Sequence, residues 1–145
     1  LETIYNLDGV EVIEQGAFMG CTSLTTFTFP PKATVAALSV FSRCTSLTDV
    51  NLAGVTSIES YAFDYCYLLQ RLTLPATVTQ MGEEVFKDCI GLTELTVQSL
   101  TPPRVTDNTF PGVMQERCVL LVPMGSVANY NTTPVWMGFK TIKGF

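Results

Sequence analysis

Four phenylalanines recur at a nearly constant interval, and each is followed by a cysteine three residues later and a leucine six residues later. They are Phe18, Phe41, Phe63 and Phe86, so the intervals are 23, 22 and 23 residues. A unit of this length cannot bury its own apolar face, so successive units must stack around one continuous core. The period therefore predicts a short solenoid.

Each of these leucines is followed by a short alternating pattern. Two further apolar residues come three and five positions after it, with a polar residue between them. The pairs are Phe27/Phe29, Val50/Leu52, Leu72/Leu74 and Leu95/Val97. Alternation of this kind is typical of a short strand with one buried face. Because the pattern returns in every unit, we expect the strands to lie side by side in a parallel sheet.

A second apolar pair precedes the phenylalanine of most units, at Val10/Ile13, Val55/Ile58 and Val78/Met81. Its constant position indicates that a second leg of each coil also faces inward. The residues that lead into the phenylalanine, such as 16–18, 61–63 and 84–86, predict one helical or 3₁₀ turn at each bend. The expected fold class is α/β and strand-dominated. It is a solenoid of about five stacked coils of 22–24 residues, with a parallel sheet on one face and a C-terminal cap.

The second unit is irregular. Val35 and Leu38 resemble the upstream apolar pair, but they lie two residues too close to Phe41. The extra residues fall at 30–32, where two prolines precede a lysine. We therefore expect a bulged loop at 30–32, with the register of the core retained.

The last unit is degenerate, as expected of the terminal repeat of a capped solenoid. It runs from Val105 through Phe110 to Val122 and has Val113 where a cysteine is expected. We predict one domain over residues 1–145, with repeats over 1–123 and a cap over 124–145. Because the chain opens partway through a repeat, we expect it to be a fragment of a longer chain.

The composition excludes several classes of function. The net charge is −5 and the eight basic residues are scattered, whereas proteins that bind nucleic acid carry clustered Lys and Arg. No stretch reaches the roughly 20 apolar residues that a membrane-spanning helix needs. The chain has no histidine, which removes Ser-His-Asp and Cys-His catalysis. We expect neither a nucleic-acid partner, nor a membrane span, nor a cofactor.

The cysteines form a column rather than a metal site. Cys21, Cys44, Cys66 and Cys89 hold equivalent positions, so consecutive thiols should be about 5 Å apart, the spacing of strands in a sheet. That distance is compatible with disulfides, but burial of small apolar thiols in the core explains all four equally well. A straight column does not converge on a tetrahedral zinc ion. Cys118 is also expected in the core.

Three charged residues should form a row across the sheet. Asp49, Arg71 and Glu94 hold equivalent outward positions on three consecutive strands. A carboxylate pair is the one catalytic arrangement left, but an adjacent guanidinium favours ionised carboxylates and so opposes a general acid. We interpret the row as cross-strand charge pairing and the protein as not an enzyme.

Two further groups are candidates for contact with a partner. The outward column Thr28, Asn51, Thr73 and Thr96 is either a polar recognition strip or a set of ordinary exposed strand residues. Tyr61, Tyr65 and Tyr67 cluster at one bend, where they either anchor a partner or pack on neighbouring coils. The candidate partner-binding residues are Thr28, Asp49, Asn51, Tyr65, Tyr67, Arg71, Thr73, Glu94 and Thr96.

The complete pattern resembles the BspA-like leucine-rich repeats of bacterial surface proteins. The match is best over residues 55–75, where Val55, Ile58, Ala62, Phe63, Cys66, Leu69, Leu72, Leu74 and Pro75 all hold the family's positions. The similarity extends over about residues 7–123, and the tail is similar to the closing segment of such domains. The resemblance implies a cell-surface or secreted bacterial protein that binds host or extracellular proteins in adhesion. It supplies no catalytic residues.

The expected function is a non-catalytic protein–protein interaction module, which binds through the sheet face and the bends. The alternative is a structural spacer that presents a neighbouring domain. Carbohydrate binding has less support, because only the tyrosines at one bend hint at a sugar site.

Overall fold

The computed structural model describes residues 4 and 6–145. It consists of stacked coils with short parallel strands on two faces. The strands are β1 Thr26–Thr28, β2 Val35–Ala36, β3 Asp49–Asn51, β4 Ser57–Ile58, β5 Arg71–Leu74, β6 Gln80–Met81, β7 Glu94–Val97, β8 Val119–Val122 and β9 Thr141–Gly144. The helices are α1 Gly112–Arg117, α2 Val127–Thr132 and two 3₁₀ turns at Met124–Ser126 and Trp136–Gly138.

Equivalent strands of successive coils pair in register. On the first face β1 pairs with β3, and β5, β7, β8 and β9 form a second group in that order. On the other leg of the coil, β2, β4 and β6 pair in turn. Every pair is parallel, and the alternating apolar residues of each strand point into the core. The predicted strand-dominated solenoid is confirmed.

The first face is interrupted between β3 and β5, which do not pair in the described part of the chain. Where β5 and β7 meet, the N–H of Gln98, just past β7, donates to the carbonyl of Leu74 in the preceding coil at 3.0 Å. Past β5 comes Pro75, which has no N–H to donate to the preceding coil. Pro75 holds the position that Gln98 holds one coil later, so the equivalent bond to the coil of β3 cannot form. The sheet is open at this point, which the repeat pattern did not predict.

An aromatic column runs through the core. Phe18, Phe41, Phe63, Phe86 and Phe110 stack in order, with ring centroids 5.5–6.1 Å apart and planes within 19° of parallel. The interior rings are fully buried, because each unit places its phenylalanine at the same point of the coil. The column ties every coil to the next, as stacking of repeats requires.

The second unit keeps its register by a different route from the one predicted. The residues that occupy the upstream positions are Ala33 and Ala36, both buried, and Ala36 pairs with Ile58. Val35 is exposed and Leu38 is half-buried, so the assignment of these two to the core was wrong. The core register is retained as predicted, but the bulged loop expected at 30–32 is absent, because these residues form the same turn as 75–77.

The bends are single tight turns. Each is closed by hydrogen bonds between residues three apart, such as Met19 N–H to the Gly16 carbonyl at 2.9 Å. Residues two positions before and after each phenylalanine have positive φ; they are Gly16, Gly20, Ser39, Arg43, Tyr61, Tyr65, Glu84 and Asp88. A left-handed residue ends a helix, so none of these four bends extends beyond one turn.

The last 22 residues, 124–145, cover the end of the solenoid. Trp136 and Phe139 pack on Phe110, with ring centroids at 4.8 and 5.0 Å. The indole N–H of Trp136 donates to the carbonyl of Pro103 at 2.9 Å, and the hydroxyl of Tyr130 donates to that of Ser99 at 2.8 Å. These contacts close the core, and β9 adds a strand to the sheet that the sequence pattern did not reveal.

Candidate functional site: the strand face and the tyrosine bend

The outward residues of β1, β3, β5 and β7 form what we call the strand face. Thr28, Asp49, Asn51, Arg71 and Thr73 are exposed there. The remaining two predicted residues of this face, Glu94 and Thr96, are half-buried. The alternation of each strand explains the arrangement, because every second side chain must leave the core. The face is polar and accessible to a partner.

The charge row forms in part. The Arg71 Nε lies 3.9 Å from Oε1 of Glu94, but Asp49 has no ion pair within the described residues. The opening between β3 and β5 separates Asp49 from this pair. An exposed ion pair of this geometry stabilises the fold by less than about 1 kcal/mol. Glu94 and Arg71 are therefore free to exchange this contact for one with a partner.

A cleft of about 490 Å³ occupies the opening between β3 and β5. Asp49, Asn51, Arg71 and Thr73 line it together with Gln98. These side chains present a carboxylate, two amides, a guanidinium and a hydroxyl, so the cleft offers both donors and acceptors. Four of the nine predicted residues thus meet in one place. Gln98 was missed, because it lies one residue beyond its strand, where the preceding coil has Pro75.

Asn51 also stabilises the local backbone. Its side-chain Oδ1 accepts a hydrogen bond from the N–H of Ala53 at 3.0 Å, which stabilises the turn after β3. This contact explains an asparagine in the otherwise threonine-containing column. Thr73 and Asp49 have no side-chain hydrogen bond within residues 4 and 6–145. Their polar groups remain available.

At the tyrosine bend, Tyr65 is packed against a neighbouring coil and Tyr67 is exposed. The guanidinium of Arg43, from the preceding coil, lies 5.1 Å from the ring centroid of Tyr65 in a cation–π contact. Tyr67 meets Tyr65 edge-on at 6.1 Å and is 39% exposed. Of the two predicted residues, Tyr65 packs on a neighbouring coil, whereas Tyr67 offers its ring to solvent.

A buried carboxylate lies beside this bend. Asp64 is only 7% exposed, and its Oδ1 has no hydrogen-bond partner in the described structure. Burial raises the pKa of Asp64, although Ser42, Arg43 and Lys87 act against the increase. The Lys87 Nζ instead lies 2.7 Å from Oε2 of Glu84. No repeat pattern indicates this site, because its column holds a different residue type in each coil.

Three of the four cysteines in the column are buried. All five cysteines are free, and four are buried while Cys21 is half-buried at the first coil. The thiols of Cys44, Cys66 and Cys89 donate to the carbonyls of Phe18, Phe41 and Phe63, at 3.1, 3.3 and 2.9 Å. Burial raises the pKa of Cys44 to about 12 and that of Cys89 to about 12, so the reactive thiolate is disfavoured.

Neither a metal centre nor a spanning helix emerges from the part of the chain that the structure describes. Its His, Cys, Asp and Glu residues form no cluster of three or more that could hold a metal ion. None of its helices has the length and apolarity to cross a membrane.

The repeat pattern matches a known family. Residues 1–113 match the family described as the BspA type leucine rich repeat region, in six copies. The chain belongs to this family. The match confirms the resemblance seen in the Phe, Cys and Leu pattern, and it agrees with the stacked coils of the structure. Leucine-rich repeat domains generally bind partners on extended surfaces and are not catalytic.

Two solved structures share the fold. A leucine rich cell surface protein from Faecalibacterium prausnitzii is 28% identical, with a TM-score of 0.65 over 83% of this chain and 41% of that protein. The T. pallidum leucine rich repeat protein is 21% identical, with a TM-score of 0.55 over 83% of this chain and 67% of that protein. This chain thus spans less than half the length of the first of these proteins. No curated protein matches it.

Proposed function

We propose that this chain is a protein-binding domain of a bacterial cell-surface or secreted protein, and that it serves adhesion to a host or extracellular protein. The related protein from Faecalibacterium prausnitzii is described as a cell surface protein, which supports the location. The observation that carries the binding function is the polar cleft on the strand face. Four outward residues converge there, and the side chains of Asp49 and Thr73 make no hydrogen bond within the described residues.

The size of the face determines how a partner would bind. A standard protein interface covers about 800 Å² on each side, which is more than a few short strands present. The partner therefore contacts the cleft and extends onto the bend, where Tyr67 is exposed. Aromatic and arginine side chains contribute strongly at such interfaces, and Arg71 and Tyr67 are the exposed examples here.

The cleft favours protein over carbohydrate. Sugar sites usually set an aromatic ring beside polar groups, but no described residue that lines the cleft is aromatic. At the bend, the ring of Tyr65 is already in contact with Arg43. The spacer alternative predicts no binding at all, so one experiment separates it from the proposal.

A photo-crosslinking amino acid at Thr73 tests the proposal. The labelled domain is incubated with a defined extracellular-matrix extract, irradiated and analysed by mass spectrometry. We expect a cross-linked protein at Thr73 and none from a matched label at Gln80, which is exposed on the opposite leg. Arg71→Ala should abolish the cross-link without lowering the melting temperature. Absence of any cross-link at Thr73 would support the spacer instead.

A further inference from the structure

A second recess lies at the bend of the fourth coil, away from the strand face. It is an apolar pocket of about 320 Å³. Leu92, Cys89 and Met114 form its buried floor, while Ile90 and Arg117 stand at its rim. Small hydrophobic recesses with a few charged groups at the edge are the usual form of a binding pocket. We call it the bend pocket.

The bend pocket exists because the fifth bend differs from the others. Ten residues separate Phe110 from Leu120, whereas nine separate Phe86 from Leu95 in the fourth coil. The longer segment forms α1, Gly112–Arg117, in place of a single tight turn. This helix stands beside the fourth bend and closes one wall of the recess.

Exposed apolar residues continue outward from the pocket. Ile90 is 66% exposed and Leu68 is 52% exposed, and Tyr67 lies one coil before Ile90 at the same position. In the first two coils the positions of Tyr67 and Leu68 hold only threonine and serine, as Thr22/Ser23 and Thr45/Ser46. The fold therefore accepts polar residues at these positions, and a coil does not need Tyr67 or Leu68 in order to form. An apolar surface confined to two coils is typical of an interaction site.

The charge at the rim defines the chemistry of the partner. Three charged residues line the pocket: Arg117 and Asp88 have no ion pair in the described structure, whereas Lys87 is bound to Glu84. A free guanidinium beside an apolar floor is complementary to a carboxylate next to a bulky apolar side chain. The pocket is large enough for one such side chain. The exposed Tyr67 and Leu68 can contact the partner residues on either side of it.

We propose that the bend pocket anchors the protein partner by taking one leucine or phenylalanine side chain, whose neighbouring Asp or Glu pairs with Arg117. This anchor rests on the protein-binding function proposed above and gives it a specific motif. A partner protein fits better than a free amphiphile, because a small ligand would fill the recess and leave Tyr67 and Leu68 in water. Buried apolar anchors of this kind carry much of the binding energy at interfaces.

Methyl NMR of the labelled domain tests the anchor directly. The probes are the short amides acetyl-Asp-Phe-amide and acetyl-Asn-Phe-amide, with hexanoate as the free amphiphile. We expect the Asp peptide to shift the methyl signals of Met114 and Ile90. The Asn peptide should bind about twofold to fivefold more weakly, as should the Asp peptide to Arg117→Gln.

Two further variants complete the test. Ile90→Thr restores the residue type of the earlier coils at an exposed position and should weaken the peptide about fivefold. Leu100→Ser, at a site 65% exposed elsewhere on the chain, should have no effect. Unshifted methyl signals, or hexanoate binding as tightly as the peptide, would overturn the anchor. Because the readout is at the pocket, these results are independent of cross-linking at Thr73.

Discussion

Replacing Phe63 with alanine tests whether the aromatic column holds the coils together. Phe63 is fully buried and stacks on Phe41 at 5.5 Å and on Phe86 at 5.9 Å. Truncation of such a ring in a packed core costs about 3–5 kcal/mol, since the cavity cannot collapse between two rigid neighbours. Phe18, at the first coil, is half-buried and has one neighbour in the column. Its truncation should cost less, by at least the one ring contact, about 0.5–1.5 kcal/mol.

Urea unfolding followed by far-ultraviolet circular dichroism measures these losses. Phe63→Ala should also lower the melting temperature by about 6–20 °C, at about 2–4 °C per kcal/mol for a domain of this size. Phe145→Ala is the matched control, because Phe145 is 56% exposed and its removal should change stability by less than about 0.5 kcal/mol.

Two results would refute the column as the element that joins the coils. One is a loss for Phe63→Ala below about 1.5 kcal/mol, which is the range of ordinary substitutions. The other is an equal loss for Phe18→Ala, since the ring at the end of a stack cannot contribute as much as one in its middle.

Three further predictions concern single residues of the coils. Burial raises the pKa of Asp64, so the folded state favours the neutral carboxyl group, and this stabilisation is lost as the pH rises. Asp64→Asn should therefore raise the melting temperature at pH 7 but not at pH 3. A lower melting temperature of the variant at pH 7 would contradict this. In the native protein only Cys21 should react quickly with dithiobis-nitrobenzoate, and all five thiols should react after unfolding in urea. A side chain at Gly91 would lie 2.4 Å from the carbonyl oxygen of Tyr67, so Gly91→Ala should cost about 1–3 kcal/mol by thermal unfolding. Gly9→Ala is its control, since nothing lies within 4 Å there.

The period of the phenylalanines was sufficient to predict the architecture. A residue that returns at the same point of each unit must meet its equivalents when the units stack, and the observed column does so from Phe18 to Phe110. The alternation after each leucine likewise predicted the strands and their outward residues. Both signals are local, because burial in a solenoid depends on the position within one coil.

The second unit shows where this local signal fails. Val35 and Leu38 are more hydrophobic than Ala33 and Ala36, so the pattern favoured the wrong pair. The pairing of β2 with β4 decides which residues face inward, and a shift of one residue would turn every side chain of a strand to the opposite face. Registry with a neighbouring coil therefore outweighed residue hydrophobicity.

The amino-acid sequence alone determined the stacked coils, the inward residues of most of them and the polar strand face. The cleft at β3 and β5 and the bend pocket beside α1 were decided only by tertiary structure. Each depends on what one coil places against another: the cleft occupies the opening where β3 and β5 do not pair, and its lining comes from both coils. Likewise Met114 belongs to the floor of the bend pocket only because α1 packs beside the fourth bend.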